Sequence, residues 1–228
     1  MSDRSPVLTV EALSRSFERG AISALSGVSF SAAAGEVVAV TGPSGCGKST
    51  LLSLVGLLDK PTAGRVVVAG QDLAGVRRPF AYRARHVGFV FQFHHLVPTM
   101  TLLENVSAPM IALGVRRTDR LRRAGEMLEQ MGVSARAGAL PSRVSGGERQ
   151  RAAVARALVN RPAMVLADEP TGNLDTRNGR IVVDLLVAHA REQGALVLMA
   201  THNPEIARAA DRNIALLDGR LVDGEAEA

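Results

Sequence analysis

The chain has 228 residues, a formal net charge of +5 and a 46% hydrophobic composition, enough apolar material for a sizeable core and too much for a disordered chain. Its single cysteine, Cys46, excludes an internal disulfide and fits a reducing compartment. No stretch approaches the ~18–20 apolar residues of a spanning helix, and residues 1–10 hold charges and Pro6 in place of a signal peptide's apolar run, so the expected location is cytoplasmic.

In chain order, residues 7–13 and 22–30 read as β segments separated by a glycine-containing turn. Residues 36–41 (EVVAVT) form a short apolar run between Gly35 and Gly42, the pattern of a buried strand. A glycine-rich loop follows, then a helical stretch through Leu51, Leu52, Leu54 and Val55. Residues 65–69 and 87–91 are expected to be strands. From 101 to 131 the pattern is helical, with turns near Gly114 and Thr118. Two readings stand for the basic run from Arg116 to Arg123: the solvated face of a helix, or a surface for anionic lipid or nucleic acid. No aromatics interleave with these arginines as base stacking needs. Residues 146–160 form a helix rich in Ala and Arg. The run 163–167 (AMVLA) is again a buried strand, ended by Asp168 and Glu169. Residues 177–192 are helical, 195–200 a strand, 204–210 a short helix, 213–217 a strand, and the tail 225–228 frays. Alternating strands and helices predict an α/β core with a mainly parallel sheet, interrupted by an inserted, mostly helical stretch from about 93 to 160.

The segment Gly42-Pro43-Ser44-Gly45-Cys46-Gly47-Lys48-Ser49-Thr50 matches the phosphate-binding loop pattern of Gly, four residues, Gly-Lys-Ser. Glycines let main-chain amides turn toward phosphate oxygens without a Cβ in the way, and the following helix offers its positive end. Lys48 brings a compact charge to the β- and γ-phosphates, and the Ser49 hydroxyl suits Mg²⁺. Cys46 reads as a small residue standing where Ser also fits, and modifying its thiol is expected to block nucleotide. In such a loop protein an acid at a strand's end holds Mg²⁺ through water, which suits Asp168. The next carboxylate, Glu169, is placed to polarise the attacking water.

The stretch Val144-Ser145-Gly146-Gly147-Glu148-Arg149-Gln150-Arg151 resembles the signature motif of ABC transporter ATP-binding subunits, with Val144 in place of the usual Leu. Physically, Ser145, Gly146 and Gly147 begin a helix with free amides and a hydroxyl, a second anion site. The resemblance implies a P-loop NTPase with a RecA-like core, an N-terminal antiparallel β subdomain and an inserted helical signature subdomain. It treats 1–228 as one ATP-binding domain, with 1–92 and 161–228 forming the core and 93–160 the helical part.

It further implies a head-to-tail pair of identical subunits, in which Ser145, Gly146, Gly147 and Glu148 of one copy close over ATP held by the other. Gln92 resembles the residue that senses Mg²⁺ and the membrane subunit. Residues 171–175, ending in Asp175, resemble the loop that communicates across the dimer, and His202 the histidine that contacts the γ-phosphate. Two readings stand for Phe17: a ring against adenine, or a core residue. The catalytic set is then Glu169, His202, Lys48 and Gln92, and the metal set Ser49, Gln92 and Asp168, with ATP and Mg²⁺ bound. Residues 91–98 (FQFHHLVP) and 103–106 (LENV) are similar to the lipoprotein-releasing (LolD-type) branch, and 166–175 (LADEPTGNLD) is similar to a stretch it shares with the macrolide-exporter (MacB-type) and cell-division (FtsE-type) branches. That likeness implies ATP hydrolysis powering a separate permease that exports or extracts lipoprotein, lipid, peptide or drug-like substrates. The subunit is then peripheral, on the cytoplasmic face of the inner membrane, with no nucleic-acid partner expected. A regulatory ATPase of a cell-division complex (FtsE-type) and a solute-importer ATPase are the alternatives. His94 and His95 lack a third metal ligand at useful spacing and read as permease contacts or plain surface.

Overall fold

A computed structural model describes residues 6–18 and 22–222. Its centre is a six-stranded sheet in the order β10-β9-β3-β8-β7-β6, built from β3 (Val37–Thr41), β6 (Val87–Phe91), β7 (Met164–Asp168), β8 (Leu196–Ala200), β9 (Arg212–Leu217) and β10 (Arg220–Val222). All pairings are parallel except the terminal β9–β10 hairpin.

The continuous apolar runs follow from burial on both faces. Successive strand side chains point to opposite sides. Val38, Val40, Met164, Leu166, Leu196 and Leu198 therefore enter one core, together with Leu51 and Leu54 of α1 (Lys48–Val55). Val37, Val165, Ala167, Val197 and Met199 enter a second core, which α3 (Leu102–Ser107), α4 (Arg117–Gln130), α5 (Gly146–Leu158) and α6 (Thr176–Gln193) close. A strand walled by two cores has no polar face to alternate with, as parallel sheets require.

A second, antiparallel sheet has the order β2-β1-β4-β5 and packs onto the first core through Leu8, Val10, Leu25 and Val66. Its strands are β1 (Pro6–Phe17), β2 (Ile22–Ala33), β4 (Ala63–Val68) and β5 (Gln71–Asp72). Both long strands outrun the expected segments. A register shift where Ala12 takes φ 46 breaks the alternation that would have marked their full length. The turn expected between them and the expected fraying of 225–228 lie outside the described residues.

Three further elements, β5, α2 (Pro79–His86) and β10, were not expected. The 101–131 stretch divides into α3, a 3₁₀ segment over Ala108–Leu113 and α4, and α7 (Pro204–Ala207) stops short of residue 210. In the basic run, Arg116, Arg117 and Arg122 face solvent, whereas Arg123 turns inward to donate to the Val159 carbonyl at 2.9 Å.

Candidate functional site

The carboxyl ends of β3, β6, β7 and β8 lie side by side, because Phe91 pairs with Asp168, Asp168 with Ala200 and Val40 with Ala200. The loop after β3, Gln92, Asp168–Glu169 and Thr201–His202 therefore emerge at one edge, where open parallel sheets bind ligands.

The loop from Gly42 to Gly47 turns on backbone that side chains resist. Gly42 has φ 144, and a Cβ there would fall 2.1 Å from the Leu216 carbonyl oxygen and 2.7 Å from Cys46 Sγ. Gly47 has φ 108 and opens α1 with no side-chain cap, which leaves the helix N-terminus free for an anion. Cys46 is buried, the small residue that the tight loop demands. Lys48 is also buried, and its Nζ donates to the carbonyls of Gly42 at 2.7 Å and Pro43 at 2.9 Å. A buried ammonium needs such acceptors, and they hold it at the mouth of the loop.

The Ser49 side chain lies close enough to Asp168 to favour its charged form, so the hydroxyl and the carboxylate expected to share a cation are already neighbours. Burial pushes the Asp168 carboxyl above its ordinary range; the Ser49 side chain pulls it back, Glu169 repels it, and Lys48 attracts it. The sign for stability follows from the raised value. The folded chain holds this proton more tightly, so the contribution is complete well below pH 3.8 and lost as pH rises through the folded value. Carrying the Asp168 charge is thus a standing cost to the fold. Asp168→Asn is therefore expected to raise the melting temperature of the nucleotide-free protein at pH 7 while lowering its Mg²⁺-dependent hydrolysis. A melting temperature that falls would contradict this account.

Glu169 begins the turn after β7 with φ 45, fixed by its amide donating to Ala200 O at 3.0 Å and its carbonyl accepting from Gly172 at 3.0 Å. That backbone aims the side chain at His202, whose Nδ1 lies 2.7 Å from Glu169 Oε1. Glu169 is largely buried, with 16% of its side chain exposed, while His202 is 69% exposed. The Gln92 carbonyl accepts from Asn173 Nδ2 at 3.1 Å. Its side chain lies against Gly172, where a Cβ would fall 2.8 Å from Gln92 Nε2.

The signature residues build a different structure. Ser145 caps α5 in a reciprocal box: its Oγ accepts from the Glu148 amide at 3.2 Å and donates to Glu148 Oε2 at 2.8 Å, and its own amide donates to that carboxylate at 2.8 Å. These hydrogen bonds hold the Glu148 carboxyl below its usual range. The Ser145 hydroxyl is thus engaged within its own helix, and the free donors at this end are the amides of Gly146 and Gly147. Among the described residues, no hydrogen bond joins 145–148 to 42–50. Asp175 caps α6, accepting from the Asn178 amide at 2.9 Å and from Asn178 Nδ2 at 2.7 Å. Phe17 is 37% exposed at the end of β1, with the Arg15 guanidinium 4.6 Å from its ring centre, so it is not a core residue.

One chain therefore gathers Gly42–Thr50, Gln92, Asp168, Glu169 and His202 at one sheet edge, and carries Ser145–Glu148 and Asp175 as helix caps elsewhere. Sequence reasoning missed Gln150 and Arg156 of α5, which reach this edge through main-chain carbonyls. The only signal was a polar residue placed within a helix otherwise buried through Ala and Val.

The oxygen donors of Ser49, Asp168 and Gln92 fit a hard divalent cation such as Mg²⁺, since Ser49 and Asp168 are neighbours and burial leaves the Asp168 charge undercompensated. Among the described residues, no helix is long and apolar enough to cross a membrane.

The ABC transporter family model matches residues 25–172. The lipoprotein-releasing system ATP-binding protein LolD of Bordetella pertussis is 49% identical over 227 residues, covering 96% of this chain and 97% of its own. LolD 1 of Rhodospirillum rubrum is 45% identical, covering 94% and 97%. A solved dimeric structure, a post-hydrolysis state of the ATP-binding cassette MJ0796 bound to ADP and Pi, is 35% identical. It superposes with a TM-score of 0.88 over 97% of this chain and 99% of its own.

Proposed function

The chain belongs to the ABC transporter family as its ATP-binding, ATP-hydrolysing subunit, and from that premise we propose that it powers lipoprotein release through a separate integral-membrane permease. In this reading 1–228 is a single ATP-binding domain, with 93–160 as the helical subdomain and 1–92 and 161–228 as the core. It sits on the cytoplasmic face of the inner membrane, held there by the permease. Two copies pair head to tail and enclose two nucleotides.

The observation that carries the reading is the convergence of Lys48, Ser49, Asp168, Glu169 and His202 at one sheet edge. Phosphoryl transfer needs little beyond positioning and charge stabilisation. The loop amides and Lys48 hold the β- and γ-phosphates, and Phe17 offers its exposed ring to adenine. Ser49, Asp168 and Gln92 hold Mg²⁺, which when bound neutralises phosphate charge. Glu169 accepts the proton of the attacking water, and His202 fixes the Glu169 carboxylate and faces the γ-phosphate. Ser145, Gly146, Gly147 and Glu148 of the second copy complete the charge stabilisation, and Asp175 lies toward the dimer contact. The Ser145 hydroxyl must leave Glu148 to donate to a phosphate, so closure of the pair rearranges the α5 cap.

The test is reconstitution. The tagged chain purified with its membrane partner into vesicles is expected to release an acylated lipoprotein only when ATP is hydrolysed. A complex that hydrolyses ATP and leaves every lipoprotein in the vesicle would transfer the protein to the regulatory or solute-import reading.

A further inference from the structure

The loop that follows Gln92 holds a shape its sequence does not favour. His94 and His95 take φ 61 and 48, consecutive left-handed residues with no glycine between them. Such backbone persists only where its surroundings impose it. Here the imposing group is Arg156, near the end of α5. Its Nη2 donates to the His94 carbonyl at 2.6 Å and its Nη1 to the His95 carbonyl at 2.5 Å. The planar guanidinium fork fits two adjacent carbonyls, which an ammonium cannot match. Arg156 is half-buried, and among the described residues its hydrogen bonds run to these two carbonyls. Burial pushes it down to about 10, so it keeps its charge at neutral pH.

Gln150 lies six residues earlier on the same helix and is buried. Its Nε2 donates to the Pro170 carbonyl at 2.7 Å and lies 3.4 Å from the Phe91 carbonyl. One helix thus grips the chain just before Gln92, just after it, and just after Glu169.

We propose that Arg156 and Gln150 are positioning residues for ATP hydrolysis, holding Gln92 and Glu169 in fixed relation to the signature end of α5. The proposal rests on the roles assigned above to Gln92 and Glu169 and adds the means by which they are held. A rigid α5 carries Ser145–Glu148 at one end and the Gln92 loop along its length. Seating of that end on the second copy's nucleotide then moves the chain's own Gln92 and the turn after Glu169 as one body.

The discriminating variant is Arg156→Lys, which keeps the charge and loses the fork. Hydrogen exchange on the full-length, nucleotide-free chain is expected to show the amides of residues 94 and 95 exchanging about tenfold faster, with those of β3 and α1 unchanged. Steady-state hydrolysis is expected to lose about tenfold in kcat, with KM for ATP and melting temperature held. In Arg156→Ala, millimolar ethylguanidinium is expected to restore part of kcat, and ethylammonium none. Exchange at the parent rate would overturn the proposal, as would fast exchange with an unchanged kcat. A joint fall of kcat, nucleotide affinity and melting temperature without rescue would also overturn it by reducing Arg156 to a structural residue. The exchange experiment needs no nucleotide, so it separates a failed clamp from a failed ATPase reading, in which the parent itself would not hydrolyse ATP.

Discussion

Glu169→Gln is expected to slow ATP hydrolysis about 100-fold or more while leaving ATP affinity within about threefold, the range general-base removal gives. The substitution is nearly isosteric. Gln keeps the length that reaches His202 at 2.7 Å and leaves the Glu169 backbone bonds to Ala200 and Gly172 intact. It removes the one property the reaction needs, a carboxylate able to accept the proton of attacking water. In the proposed mechanism phosphate contacts belong to the Gly42–Thr50 loop and Lys48, so binding has no reason to change. Single-turnover hydrolysis and titration with a fluorescent nucleotide measure the two quantities separately. Hydrolysis at the parent rate would remove Glu169 from the role of base. Loss of affinity in step with rate would make it a binding residue instead.

Ser145→Arg is expected to cost hydrolysis about 100-fold, the scale on which losing one donor to developing charge acts. ATP affinity of the single chain is expected to hold, because Ser145 and the phosphate loop are not joined within one copy. The variant also loses the helix cap, a penalty of about 1 kcal/mol that a melting curve detects. Ser145→Thr keeps both the hydroxyl and the reciprocal box with Glu148 and is expected to retain most activity. Were Ser145→Arg to hydrolyse ATP at near the parent rate, the second anion site would lose its place in the mechanism.

Much of this architecture was readable because its physics is written in side chains. β3, β7 and β8 announce themselves since both faces are buried, which leaves unbroken apolar runs. Asp168 and Glu169 were legible as acids ending such a run, and Lys48 through the glycines that a phosphate cradle requires. α2 was not legible: Arg83, Arg85 and His86 crowd its sequence, Arg77 and Arg78 precede it, and Tyr82 is its one buried residue. β10 has three residues, too few for any period to appear. The placement of Gln92 depends on Gly172, Asn173 and the α5 donors, which bind main-chain carbonyls common to every residue type. Contacts of that kind leave almost no trace in a sequence. The Ser145–Glu148 box was partly legible: serine followed three residues later by glutamate is a capping pattern, yet it also matched an anion site, and both descriptions apply to the same atoms.

The most direct test of the shared-site account is the solution mass of the Glu169→Gln protein by light scattering, with and without saturating MgATP. One chain weighs 24.0 kDa, and the account predicts that value without nucleotide and about twice it with ATP. The doubling should vanish when Ser145→Arg is added to the same chain. A mass that stays at one chain with ATP bound, or a dimer indifferent to Ser145, would contradict it.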